Sequence, residues 1–382
     1  MSSREIWLAS LLLTACGGSP SDTTGTTGTE ATGATSTGVE TTGTGEPTTT
    51  TTMTTPDTTT DTPTGPSTTD TTTDTTGGST TGGTTGSTTG STTDTTTDPV
   101  DPPASLEDVV DGELEMIADG HQFTEGPVWS LEGHLLYSDI PANTIFKWVE
   151  GGASEPFITP SGNSNGLAFD SMGRLLAAEH GNRRISRRVL GEDAQPVADG
   201  FEGKQLNSPN DLIIRSDGTI YFTDPPYGIQ PNQQEQPFNG VFRVDTQGQL
   251  SLVSDDFERP NGIVLSPDET TLYVADTAKE HVRSFAVAPD GVATGGDVFA
   301  DLTSDLVGGP DGMAVDVFGD IFVTGGGGVR VVTPAGDLLG TIMVPEQATN
   351  CTFGDPDGMS LFITAQARVY RIRLKVKGLG LP

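Results

Sequence analysis

Cysteine is almost absent from this chain. Its 382 residues include two, Cys16 and Cys351, so no disulfide framework can hold a fold together and stability must come from packing. Bases are scarce as well: 19 Lys and Arg stand against 52 Asp and Glu, a formal charge of −33. With no basic stripe, a phosphate-backbone partner is excluded, and nucleic acid with it. Oxygen-ligated cations suit such a composition, although acids also serve solubility alone. Residues 17–103 lack Lys, Arg and every aromatic, and are almost wholly Thr, Gly, Ser, Asp and Pro. Such a stretch cannot bury enough apolar surface to offset chain entropy, so composition predicts a disordered tether. As a flexible coil it would span about 50 Å. That tether carries 11 acids and no base, whereas residues 104–382 carry 40 acids and 18 bases.

What is present at the N-terminus sets an expected compartment. Arg4 precedes the apolar run of residues 6–13 (IWLASLLL), too short for a spanning helix and right for a signal-peptide core. It ends in Leu13-Thr14-Ala15-Cys16, which resembles a bacterial lipobox whose cysteine is acylated after cleavage. The sequence is therefore read as a lipoprotein signal peptide (1–16), a tether (17–103) and a folded domain (104–382). The protein is expected in a bacterial cell envelope, held at the outer membrane only through lipid on Cys16. Cys351 is then left without an intrachain partner.

The domain repeats. Six segments open with a polar residue followed by an apolar run: Glu125-Gly126, Asn165-Gly166, Asn210-Asp211, Asn261-Gly262, Asp311-Gly312 and Asn350-Cys351. Their spacings are 40, 45, 51, 50 and 39 residues. A 40–50-residue period built only of short strands predicts an all-β fold, a six-bladed β-propeller with four strands per blade. Second strands end at Asp139, Glu179, Asp224 and Asp276 in the first four repeats. The sixth repeat has no outer strand before the chain ends. Residues 114–120 (LEMIADG) resemble the outer strand QPVADG and are expected to complete the last blade, closing the ring and removing free sheet edges.

In a propeller the first strand of each blade lines the central channel. The leading residues Glu125, Asn165, Asn210, Asn261, Asp311 and Asn350 should therefore ring one mouth, with the second-strand acids and His180 beside them. Asn and Asp at strand starts also make local bonds to the backbone, which by itself would repeat them. Two buried acids on one axis are costly without compensation, and a cation supplies it. Oxygen donors with only His180 nearby suit Ca²⁺ or Mg²⁺ better than a structural zinc.

At these residues the sequence is similar to the gluconolactonase/regucalcin family of six-bladed propeller lactonases. The stretches that carry the likeness include Phe123-Thr124-Glu125-Gly126-Pro127, Asn207-Ser208-Pro209-Asn210-Asp211, Phe222-Thr223-Asp224-Pro225-Pro226-Tyr227-Gly228, Arg259-Pro260-Asn261-Gly262 and Pro310-Asp311-Gly312-Met313. The resemblance implies one divalent cation, Ca²⁺ ahead of Mg²⁺, Mn²⁺ or Zn²⁺. It would be held at Glu125, Asn261 and Asp311, with Asn210 as a further ligand or substrate contact. It also implies Asp311 as acid/base for opening a small-molecule lactone. There are departures: regucalcin-type members carry an arginine where this chain has Ser208, and a glutamate where it has Gly228. Asn165, His180, Asp224 and Tyr227 are the expected substrate contacts. A serine nucleophile is disfavoured, because no G-x-S-x-G elbow is expected and no Ser/His pair is suggested by this architecture. Two other classes remain open: a non-catalytic binding propeller, and an arylesterase or organophosphate hydrolase on the same scaffold.

Overall fold

The computed structural model describes residues 101–306 and 308–380. The leader, Cys16 and nearly all of the expected tether lie outside them. Second strands are buried on both faces, because each blade is stacked between two others. They accordingly read as near-continuous apolar runs rather than alternating ones. Leu175–Glu179 and Ile220–Asp224 are buried at every position.

Six four-stranded antiparallel sheets result. Blade one uses Thr124–Ser130, His134–Asp139, Thr144–Trp148 and Glu155–Ile158, and blade two Ser164–Phe169, Leu175–Glu179, Arg184–Arg188 and Gln195–Ala198. Blades three, four and five begin at Leu212–Ile214, Pro260–Leu265 and Met313–Val315. Blade six holds Asn350–Gly354, Ser360–Ala365 and Arg368–Arg373. Inner strands touch in chain order and the first meets the last, so the ring closes.

The closing strand is the expected one. Glu115–Ala118 pairs antiparallel with Arg368–Arg373, Glu115 opposite Arg371, and their side chains form an ion pair at 2.8 Å. Across the same seam Trp129 of blade one stacks on Phe362 of blade six, centroids 5.2 Å apart, and burying rings of this size contributes about 2–3 kcal/mol each. Cys351 is buried in the core of blades five and six, with no disulfide among the described residues. Three elements are not expected from the repeat. They are a helical turn at Leu106–Val109, a ribbon of Gly200–Phe201 with Lys204–Gln205, and a 3-10 turn at Pro231–Gln233. Each is too short to leave a periodic signature.

Candidate active site on the propeller axis

Blades meet at the axis through backbone. Gly166 N donates to Asn210 O at 2.9 Å and Gly262 N to Asp311 O at 3.0 Å. That approach explains the glycine after most leading residues. A Cβ on Gly262 would lie 2.3 Å from Asp311 O, and one on Gly126, at φ +47°, 1.9 Å from Asn165 O. No side chain fits there.

The leading residues therefore converge. Asn165 Nδ2 donates to Asn210 Oδ1 at 2.6 Å, Asn210 Nδ2 to Asn261 Oδ1 at 2.6 Å, and Asn261 Nδ2 to Thr277 Oγ1 at 3.0 Å. Glu125, Asn165, Asn210, Asn261 and Asn350 are buried, while Asp311 keeps partial access to solvent. Asn165 Oδ1 is buried without a partner.

Blade three breaks the glycine pattern with Asp211, a site residue the sequence reading did not single out. Its carboxylate accepts weakly from Asn350 Nδ2 of the opposite blade at 3.5 Å. The Cβ that Gly166 lacks would fall 2.5 Å from Asp211 Oδ1. Asp211 thus reaches the axis and floors the site. The usable signal was the missing glycine after Asn210.

Three acids from alternate blades now face one another. Burial pushes Glu125 up to about 8, with the Asp211 charge adding to it. Burial likewise raises Asp211 to about 7. Asp311 stands well above its usual range, first through burial and then through the Glu125 charge. Such a group asks for protons or a cation. Among the described residues no three His, Cys, Asp or Glu side chains gather closely enough to ligate one ion by themselves. The fitting set is mixed: the carboxylates of Glu125 and Asp311 with the amides of Asn210 and Asn261. Each amide oxygen has a second lone pair beyond its present hydrogen bond. An all-oxygen set of this kind fits a hard divalent cation and not a thiolate- or imidazole-bound metal.

The expected substrate contacts separate into two groups. His180 lies at the ring, its Nε2 3.4 Å from Asn165 Nδ2, and burial lowers it to about 4, so it is neutral at pH 7. Tyr227 also belongs here. Its hydroxyl faces Asn261, Thr277 and the Asp311 charge, and burial first, then that charge, raises it to about 12. The phenol stays protonated. Asp224 does not belong. It is fully buried and its two oxygens accept from the amides of Asn207 and Ser208, at 2.7 and 2.8 Å. Burial raises it to about 7, and it anchors the loop before Asn210 instead of meeting substrate. Asp139 and Asp276 hold residues 122–123 and 258–259 the same way, while Glu179 pairs with Arg184 at 2.7 Å. Asp139, Asp224 and Asp276 thus anchor loops by local side-chain–backbone bonding, and Glu179 does so through side chains.

The expected absence of a G-x-S-x-G string is corrected by Gly162-Asn163-Ser164-Asn165-Gly166, which has that spacing. However, Ser164 opens a β-strand, is fully buried, and bonds Ser138 Oγ at 2.9 Å. A nucleophile elbow requires a strand-to-helix turn with an exposed serine and a histidine base, and Ser164 has none of these.

Known proteins agree with this architecture. The profile of the SMP-30/Gluconolactonase/LRE-like region matches residues 123–367. A gluconolactonase of Zymomonas mobilis is 36% identical over 297 residues, covering 70% of this chain and 83% of that protein. The structure of a gluconolactonase from Xanthomonas campestris is 36% identical with a TM-score of 0.65, covering 70% of this chain and 92% of that one. A calcium-binding regucalcin structure from Agrobacterium tumefaciens shares the fold at 20% identity and TM-score 0.61, over 72% of this chain and 97% of that one. The chain therefore belongs to the SMP-30/gluconolactonase/LRE-like family of β-propellers.

Proposed function

We propose that the axial site opens sugar lactones with the help of one bound divalent cation, calcium first among the candidates. The chain is a carboxylic-ester hydrolase of the lactonase class, as its gluconolactonase relatives support. The observation that carries the reading is the convergence of Glu125 and Asp311 with Asn210 and Asn261 at one open end of the channel. A divalent cation held by those four residues would supply Lewis-acid polarisation of the ring carbonyl.

The chain's own groups do the rest. Asp311 is the most accessible member of the ring and is positioned to take a proton from the attacking water as its oxygen bonds the carbonyl carbon. It then returns that proton to the ring oxygen as the C–O bond breaks, leaving the open-chain acid. Asn165 and neutral His180 contact substrate hydroxyls on one side, and the protonated Tyr227 hydroxyl donates from the other. Asp211 keeps the floor of the site polar and filled.

The test is proton release from glucono-1,5-lactone above its spontaneous rate, with protein stripped by chelator and reloaded with Ca²⁺, Mg²⁺, Mn²⁺ or Zn²⁺. Cation-dependent turnover lost in Asp311→Asn is the expected result. A folded, cation-binding protein that turns over no lactone would overturn the reading in favour of a binding propeller. Attachment to the cell envelope through Cys16 remains part of the proposal, and fatty-acid labelling that persists in Cys16→Ser would remove it.

A further inference from the structure

Blades three and four carry the same local design ahead of their leading asparagine. In blade three Asp224 accepts from the amides of Asn207 and Ser208; in blade four Asp276 accepts from those of Glu258 and Arg259, at 2.9 and 3.0 Å. Pro209-Asn210 and Pro260-Asn261 follow in the same register. Ser208 and Arg259 are therefore equivalent positions at the channel mouth. Ser208 is buried, its Oγ accepting from Gly228 N of the Tyr227 loop at 2.6 Å. Arg259 is exposed instead, and its contact with the same loop is through Tyr227.

Its guanidinium lies over the Tyr227 ring, 5.4 Å from the centroid. Gly228, beside Tyr227, is packed so closely that a Cβ would be 2.7 Å from His180 Cβ and 2.8 Å from Ser208 Oγ. The loop that carries Tyr227 is thereby pinned between blades two and three, and the ring beneath Arg259 is a fixed platform. Arg259 is exposed and makes no ion pair or side-chain hydrogen bond among the described residues; the adjacent Glu258 is occupied by Lys279 at 2.7 Å. In a folded domain with 40 acids and 18 bases, an exposed guanidinium with no protein partner beside an acidic site stands out. This cation–π contact holds the guanidinium beside the ring and leaves its N–H donors free of protein partners, and a guanidinium so placed can recognise a carboxylate or phosphate bidentately.

We propose that the preferred substrates are lactones carrying an anionic group, carboxylate or phosphate, on the carbon chain away from the ring carbonyl, and that Arg259 is the residue that recognises that group. Tyr227 serves as the platform that holds the guanidinium over the mouth. This inference rests on the lactonase reading of the same site and narrows it to a substrate class. It also gives the acidic channel a means of admitting an anion that its own charges would repel.

The experiment compares kcat/KM for three substrates: neutral glucono-1,5-lactone, a glucaric acid lactone and 6-phosphoglucono-1,5-lactone. The full chain is compared with Arg259→Gln and Arg259→Lys. At least one anionic lactone should exceed the neutral one in the native protein, and the carboxylate and phosphate arms decide which anion is read. Arg259→Gln should reduce the anionic-to-neutral ratio about 10–100-fold, chiefly through KM, and Arg259→Lys should restore part of it. A ratio that is the same in native protein and Arg259→Gln overturns the inference, and if neutral lactone is still hydrolysed the lactonase reading survives. If no lactone turns over, calorimetric binding of glucarate against gluconate to calcium-supplied protein decides separately. A glucarate preference lost in Arg259→Gln supports anion recognition, and no preference overturns it.

Discussion

Blade five carries acids whose pKa is raised at both ends of its inner strand, Met313–Val315, and the two ends do opposite things. At the first end Asp311 meets Glu125 and Asp211 across the axis, with Asn210 and Asn261 beside them and solvent at the mouth. At the other end Asp316 and Asp320 lie beneath the C-terminal segment, where Asp316 bridges Gly378. Burial raises them to about 7 and about 6, the Asp320 charge adding to the rise at Asp316. Asp316 Oδ1 accepts from the amides of Phe318 and Asp320, but an oxygen of each acid is buried with no partner. Raised carboxylates therefore do not define a site. What separates the two ends is the arrival of other oxygen donors from several blades, together with the partial solvent access of Asp311, where Asp316 and Asp320 are buried. The far pair is a cost to stability that the fold carries.

The contrast is sharpest where activity is removed. Asp311→Asn should lower kcat/KM for a lactone by about 10³-fold, roughly 4 kcal/mol, if it moves the proton. A loss smaller than tenfold in the reloaded protein would shift that role elsewhere. Next in size is Gly126→Ala. Forcing a Cβ to within 1.9 Å of Asn165 O should destabilise the domain by about 3 kcal/mol or more, read as a fall in the urea midpoint.

At the far end the sign reverses. Asp320→Asn should raise stability by on the order of 1 kcal/mol at pH 8, about 2–4 °C in Tm, with lactone turnover unchanged. The pH window follows from linkage. The folded-state value of about 6 lies above the ordinary 3.8, so the native carboxyl holds its proton more tightly than the unfolded one. The penalty is absent below about pH 4 and grows as pH rises towards 7. Melting curves in which the native protein and the Asp320→Asn variant differ equally at pH 4 and pH 8 would contradict this. Smallest of all, Ser164→Ala should change kcat/KM by less than about threefold, since the hydroxyl is bonded to Ser138 Oγ of the neighbouring blade. A collapse of activity would restore the serine as a nucleophile.

Much of the fold is legible in the sequence. Strand ends such as Asp139, Asp224 and Asp276, the closing strand at residues 115–118 and the six leading polar residues all follow from the repeat. The site is only partly legible. The repeat brings Glu125, Asn210, Asn261 and Asp311 to one mouth, but the same repetition also marks Asp224. Sequence cannot distinguish an acid that faces a channel from one that caps its own loop, because both recur once per blade. Asp211 was hidden in a familiar motif and shows itself only as the residue that fills the space beside Gly166 of the neighbouring blade. Arg259 and Tyr227 come from different blades, so nothing in their spacing predicts that one lies over the other.

Composition and period by themselves determined that the domain is a ring of small sheets with polar groups on its axis, because short apolar strands repeating every 40–50 residues can bury both faces only by stacking around a centre. The tertiary structure decided which polar groups share that centre and which are spent on backbone amides. Those outcomes depend on distances of 2–3 Å between blades, which are set by packing and not by order along the chain.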